Sequence, residues 1–367
     1  MTVAITAIGN AVPDYTRPQS SVMEVMAEVL LLNKVERRLL KTIYREAGIE
    51  SRYSVLEDFL KTRGQFSFFP NDLVADFPST QQRMKIYKEN ALTLALNAIE
   101  ACLNGIKTAK ENISHVITVS CTGMSAPGLD IQIVEKLNLT KTLQRMTINF
   151  MGCYGLFNGI KAAHAICKAQ PNAKVLVVSV ELCTIHFQKN ASIDNLIAST
   201  IFSDGAGALL IENNPFRDKY MILDNFYCDI LSQGCNEMTW EIGDHGFDIR
   251  LSTYVPDLIE MGIGQFVQSM LSGLSLPIDK IDYFAIHPGG KKILEACEKA
   301  LNITANDNRF SYEVLKQYGN MSSATISFVL KKLWNALNRP DHQKRIFSCA
   351  FGPGLTLESM LLTLYHA

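Results

Sequence analysis

Residues 115–181 and 281–352 run through the same order of elements, and this repeat constrains the fold more tightly than any bulk property. The first series opens on HVITVSCTG, an apolar β-branched run ending in a turn. It continues through the helical stretch GLDIQIVEKLNL, the glycine-rich helix MGCYGLFNGIKAAHAIC and the strand AKVLVVSVE. The second opens on IDYFAIHPGG and continues through KKILEACEKAL, GNMSSATISFVLKKLW and KRIFSCAFG. An internal repeat of strand, helix, helix, strand predicts an α/β chain of two duplicated halves. Strands alternating with helices predict parallel sheets, and VLVVSV is apolar on both faces, as a buried parallel strand is. The halves are expected to meet in the polar stretch IENNPFRDKY. This gives an N-terminal half at 1–215 and a C-terminal half at 216–367.

The repeat also aligns chemistry. Cys121 and His287 close equivalent strands, and Cys153 and Asn320 follow them at nearly equal spacing. Ligands of open parallel sheets bind beyond the carboxyl ends of strands, where these residues fall, so a site shared between the halves is expected. Cys153 lies at a helix start within a collar of glycines. The helix dipole favours a thiolate there, and a neighbouring His287 would hold it as an ion pair. A small buried hydrophobe is the other reading of such a cysteine. His287, between a buried strand and PGG, is held as acid–base work requires or is simply a turn histidine. Asn320 in YGNMSS reads as an N-cap or as an amide facing a developing oxyanion.

Elsewhere, residues 20–47 read as helical, 52–86 as a loop-rich excursion and 87–105 as a helix ending near Gly105. Lys and Arg number 35 against 36 Asp and Glu, so no global charge draws the chain to nucleic acid or to an anionic membrane. The nine cysteines are odd in number and lack a CxxC pair, which predicts a reducing, cytoplasmic setting. The N-terminus reads as a first strand rather than a signal peptide, and no apolar stretch approaches a membrane span. HExxH, the GxxxxGK[ST] phosphate loop, GxSxG and metal-ligand spacings are all missing from the sequence.

The residues NFMGCYG, AIHPGG, YGNMSSA and FGPGLTLE, in this order and along essentially the whole chain, resemble the type III polyketide synthases, the chalcone-synthase-like family, in a bacterial-type form. The resemblance implies a thiolase-like fold, five-layered αβαβα with duplicated halves, assembled as a homodimer. It implies that Cys153 accepts the acyl group and that His287 and Asn320 promote decarboxylation. Phe202 matches a gatekeeping phenylalanine. Ile249 stands where plant members often have a second one. Trp240 falls near a size-controlling position, and His186 occupies a cavity position often held by threonine. Ala126 lies where a neighbouring subunit's residue would enter the cavity, and Ser322 keeps the family's serine near the site. Ala350 replaces the first glycine of the usual GFGPG. Cations for the CoA phosphates are expected at Arg45 and Lys292.

The implied reaction loads an acyl-CoA starter on Cys153, extends it iteratively with malonyl-CoA and cyclises the product to a small aromatic or pyrone. CoA thioesters are substrates, and no cofactor or metal is implied. Three rivals stay open on the sequence: a ketoacyl synthase III-like enzyme making one condensation from a carrier protein, a cysteine hydrolase, and a catalytically silent acyl-CoA-binding partner.

Overall fold

The first element is a strand, β1 (Val3–Ala11), as the opening residues predict. The structure, a computed structural model, describes residues 2–72, 74–104, 106 and 110–366. The N-terminal half continues through β2 (Tyr15–Pro18), α1 (Gln19–Val29), α2 (Lys34–Glu46), β3 (Ser51–Ser54) and α3 (Thr80–Leu103). Next come β4 (His115–Ser120), α4 (Leu129–Lys136), β5 (Gln144–Asn149), α5 (Gly155–Ala169), β6 (Lys174–Leu182), α6 (Ile193–Ile201) and β7 (Asp204–Asn213). The C-terminal half holds β8 (Lys219–Ile230), the hairpin β9 (Met238–Gly243) and β10 (Gly246–Leu251), α7 (Val255–Ser272) and β11 (Tyr283–Ile286). It ends with α8 (Lys291–Leu301), α9 (Arg309–Tyr318), α10 (Thr325–Ala336), β12 (Arg345–Gly352) and β13 (Thr356–His366). None of the helices among the described residues is long and apolar enough to cross a membrane.

Local chemistry explains the helix boundaries. The stretch 20–47 is two helices, because Leu31 turns left-handed (φ 57°) and Asn33 then starts α2 with a capping box to Glu36. Ser79 and Gln82 cap α3 in the same way, seven residues before the expected start. The helix ends at Leu103 with Asn104 as its C-cap, beside the expected end near Gly105, a residue outside the described ones.

Nine strands form one sheet in the order β11-β12-β13-β8-β1-β7-β6-β4-β5. The order reads alike outward from the β1–β8 seam: β7 matches β13, β6 matches β12 and β4 matches β11. β5 has no partner strand in the other half. The seam itself is short, pairing Ala4 with Ile222 and Ile5 with Met221. The expectation of parallel strands needs correction. β4–β5, β4–β6 and β11–β12 are parallel, but β7 and β13 run antiparallel to both neighbours. β13 follows β12 after the short turn Pro353–Leu355, and the longer excursion that carries α6 returns to the end of the sheet where β6 left it, pairing Leu182 with Asp204, so both strands run back in the opposite direction.

Helices α5 and α10 fill the layer between the two half-sheets, and α5 packs on β4 and β6 while α10 packs on β1, β7 and β11. α3 covers the N-terminal half-sheet from outside and α7 with α8 cover the other, giving the thiolase-like layering. Leu156, Phe157, Ile160, Ile326, Val329 and Leu330 of the middle layer are wholly buried. Inner helices so enclosed must be apolar almost all round, which is why both read as rich in small and apolar residues. Phe157→Ala is expected to cost about 3–5 kcal/mol by leaving a cavity in this layer. Phe216→Ala, at a fully exposed ring, should shift stability by less than about 0.5 kcal/mol. Denaturant unfolding of both variants is the check, and equal shifts would contradict the layering.

Candidate active site

Cys153 sits in a short 3-10 turn, Gly152–Tyr154, that leads directly into α5. The chain kinks sharply after β5, with Phe150 and Gly152 both at positive φ (63° and 75°). A Cβ on Gly152 would stand 2.3 Å from the Pro353 ring, and one on Gly352 would stand 2.5 Å from the Tyr154 ring. Glycine at these two positions lets the FGPG turn of the second half press against the cysteine turn of the first.

His287 follows β11 and its backbone N–H donates to Cys349 O at 2.8 Å. The ring is 1% exposed, lines the same cavity as Cys153, and neither ring nitrogen has a hydrogen-bond partner. Asn320 is not the N-cap of α10, whose cap position is Ala324. Its Oδ1 instead makes a local turn bond, accepting from the Ser322 N–H at 2.8 Å. That leaves Nδ2 to donate to Gly289 O at 3.2 Å and to reach within 4.0 Å of Cys153 Sγ. Its backbone exchanges bonds with the first half: Asn320 N–H donates to Ile201 O, and Ser203 N–H donates to Asn320 O. The repeat is imperfect at this point. α5 starts two residues after Cys153 and α10 five after Asn320, so Ser323, not Asn320, lies opposite Cys153.

Burial works against the expected thiolate–imidazolium pair. Burial pushes the Cys153 thiol up to about 11, outweighing hydrogen bonds from Ser322 and Asn320. Burial alone pushes His287 down to about 3. Desolvation penalises either charge more than the helix dipole favours one. Burial favours the neutral form of both groups, and His287 keeps a nitrogen without a partner, able to take a proton.

The cavity around them measures about 510 Å3. Phe202, His186, Trp240, Ile249 and Ser322 all line it, as does Lys292. His186 is fully committed: its Nε2–H donates to Thr122 O (2.7 Å) and its Nδ1 accepts from Phe247 N–H (3.0 Å). Its ring stacks on Phe247 at 4.2 Å, and burial lowers its pKa to about 3. Trp240 and Ile249 face each other across the β9–β10 hairpin, and the indole N–H donates to Cys121 O at 2.8 Å. One expected residue stays away: Arg45 is exposed and pairs with Glu46 at 3.0 Å. Ala126, expected where two subunits meet, is exposed and does not line this cavity. Arg45 points from the outer side of α2, whereas Thr42, Ile43 and Glu46 of that helix form the cavity mouth.

Residues not singled out in the sequence hold this arrangement. Glu181, wholly buried, accepts from the Cys121 and Thr122 side chains and from Ser323, and burial raises its pKa. Cys121 Sγ in turn lies 3.0 Å from Ser322 Oγ. Arg52, 4% exposed, donates to Ser199 O (2.5 Å) and Phe202 O (2.8 Å), clamping the segment that bridges to Asn320. A charged residue ending the apolar run of β6 was the one available signal for Glu181; Arg52 gave none.

Known proteins share this arrangement of chain. The family profile for chalcone and stilbene synthases matches residues 2–215 with its N-terminal domain and residues 225–365 with its C-terminal domain. The alpha-pyrone synthesis polyketide synthase-like Pks18 of Mycobacterium tuberculosis is 29% identical over 98% of this chain and 91% of its own. A putative chalcone synthase of Bacillus subtilis is 29% identical over 98% of both chains. Among solved structures, PKS-I from the brown alga Ectocarpus siliculosus superposes with a TM-score of 0.90 at 27% identity, covering 99% of this chain and 98% of that one. The C-terminal type III polyketide synthase domain of Steely1, a type I/III hybrid from Dictyostelium, gives 0.89 at 27%, covering 99% of both.

Two pH measurements test the neutral pair. Alkylation of Cys153 by iodoacetamide, read on its own peptide, should keep accelerating up to about pH 11; a plateau near neutrality would restore the ion pair. In the unfolded chain His287 binds a proton below its ordinary 6.5, while the folded chain resists until about 3. The unfolded state therefore holds more protons in that window, and stability falls as pH falls through it. His287→Gln should lose less stability than the wild type between those limits, as followed by unfolding at each pH.

Proposed function

The chain belongs to the chalcone and stilbene synthase family, and from that premise we propose that Cys153, His287 and Asn320 carry out its chemistry. It is a type III polyketide synthase, an acyltransferase that condenses malonyl-CoA, with loss of carbon dioxide, onto an acyl starter. The single-condensation and hydrolase rivals gain no support. The observation that supports the residue assignment most is the orientation of Asn320. Its Oδ1 is occupied by Ser322 N–H, so Nδ2 faces Cys153 beside an imidazole with no partner.

The steps follow from neutral starting groups. Cys153 gives its proton to the free nitrogen of His287 as the sulfur attacks the starter thioester. The C–S bond to CoA breaks, and CoA leaves with a proton. Malonyl-CoA then loses carbon dioxide, and its thioester oxygen becomes an enolate. The amide Nδ2–H of Asn320 and an N–H of His287 donate to that oxygen, and each such donor contributes on the order of 3 kcal/mol in a dry site. The enolate carbon attacks the acyl group, the bond to Cys153 Sγ breaks, and the lengthened chain remains on CoA for another round. Cyclisation yields a small aromatic or a pyrone. Phe202, Trp240, His186 and Ile249 shape the space for it, and Ser322 stands beside the sulfur. Lys292 at the mouth meets the CoA phosphates.

The enzyme works as a cytoplasmic homodimer in this reading. Supporting it, β5 is an open sheet edge with Gln144, Arg145, Met146 and Thr147 exposed, and Met124 and Ala126 are exposed nearby in the chain. All nine cysteines are free thiols, which suits a reducing compartment.

Mass spectrometry of the protein with carbon-13 malonyl-CoA and a panel of acyl-CoAs tests the assignment. The wild type should give an acyl adduct on Cys153 and labelled ketides, and Cys153→Ala neither. Asn320→Ala should keep the adduct but lose condensation by roughly a hundredfold or more. Ketide at wild-type levels from Cys153→Ala would remove the nucleophile.

A further inference from the structure

We propose that the outer face of α2 is the docking surface for an acidic acyl-carrier protein, which presents an acyl thioester on its phosphopantetheine arm to the cavity mouth. This rests on the acyltransferase reading and adds a second donor to it.

The surface is built by helical spacing. Lys34, Arg38, Lys41 and Arg45 recur every three or four residues, which places them along one stripe of α2. All four are exposed. Lys34, Arg38 and Lys41 have no ion-pair partner among the described residues. The Arg45–Glu46 pair has both side chains largely in water (72% and 61% exposed), where it holds little. The fifth cation, Arg37, is spent on structure, donating to Leu32 O at 3.1 Å and standing 3.8 Å from Glu24. Glu36 is spent as well, in the capping box with Asn33. In a chain with net charge −1, this stripe is a local concentration rather than part of a generally basic surface.

A second, apolar stripe runs beside it. Val35 is 74% exposed and Leu39 40% exposed, and Leu31 just before the helix is 43% exposed. Large apolar side chains held in water at helical spacing are stabilised by being covered. From Val35 and Leu39 this stripe continues through Thr42 to Glu46, which line the mouth. The opposite face of α2 buries Leu40 and Tyr44, and the Tyr44 hydroxyl donates to Ser199 O at 2.9 Å. A partner on the outer face is thereby held at a fixed place relative to the path toward Cys153.

The pattern fits a protein better than the nucleotide end of CoA. The cations extend over about 16 Å of helix at 1.5 Å per residue, and they lie roughly a quarter-turn away from the mouth-lining positions. One adenine ring could cover only part of an apolar stripe that runs from Leu31 through Val35 to Leu39, and Lys292 already lines the mouth. An acidic helix surface complements a row of cations flanked by apolar side chains, and charge pairing of this kind steers encounter and fixes register.

The test compares two donors on the full-length enzyme: a bacterial fatty-acid acyl-carrier protein and coenzyme A, each loaded with the same panel of straight-chain acyl groups. The rate of adduct formation on Cys153 is read by mass spectrometry. The combined variant Lys34→Glu, Arg38→Glu, Lys41→Glu is expected to lower loading from the carrier by about tenfold or more, with loading from acyl-CoA within about twofold. Raising ionic strength should weaken carrier loading in the wild type and have little effect in the variant. Equal loss from both donors would assign the stripe to CoA phosphates and overturn the proposal, as would an unchanged variant or a wild type that takes acyl groups only from CoA. An adduct from neither donor is the separate failure of the acyltransferase reading.

Discussion

The bridge between Asn320 and the Ile201–Ser203 segment is the contact on which the site depends. Two backbone hydrogen bonds tie a residue of the second half to the element that carries Phe202 in the first. Arg52 donates to carbonyls on the same segment and to the side chains of Gln19 and Tyr44, which together satisfy its buried guanidinium. Without this bridge each half would still build its own sheet. Asn320 and Cys153, which come from different halves, would have no fixed distance between them. The glycines at 152 and 352 perform the complementary task, letting the two turns approach closely enough for the bridge to matter.

Enclosure then decides the electrostatics. A helix start and a glycine collar favour a thiolate when considered alone. Cys153 is half-buried and His287 wholly buried at the wall of the cavity, and the desolvation there works against that preference. The same loss of water strengthens any hydrogen bond made to charge that develops later, since the effective dielectric is low. The site thus holds its groups uncharged at rest and rewards charge only where donors already point.

Much of this could be read from the sequence because duplication is a local signal. The strand ends at Cys121 and His287, the glycine-rich turn at Cys153 and the apolar inner helices all follow from short-range periodicity. The antiparallel return of β7 and β13 could not be read, since strand direction depends on the end of the sheet to which the connecting segment returns rather than on side-chain pattern. The offset between Asn320 and Cys153 was hidden for a related reason: residue spacing counts positions but not where a helix begins. Arg45 was expected near the mouth by its place at a helix end, yet the face of a helix that meets a cavity is set by what buries its other side, here Leu40 and Tyr44. The cavity wall depends on a hairpin pairing Trp240 with Ile249, and Arg52 on carbonyls some 150 positions away. Contacts at that separation leave no trace in local pattern.

The aromatic wall of His186 and Trp240, with Phe247 packed against both, has one more consequence. Both imidazole nitrogens and the indole N–H are already bonded to the protein, so this wall offers an incoming chain no donor or acceptor. In the proposed reaction it would sort acyl groups by bulk rather than by functional group. One methylene is worth about 0.8 kcal/mol of apolar transfer, or roughly a fourfold preference. A wall of that kind sets a graded tolerance for neighbouring chain lengths, and the family of products made by such an enzyme is shaped as much by which thioesters the cell supplies as by the wall itself.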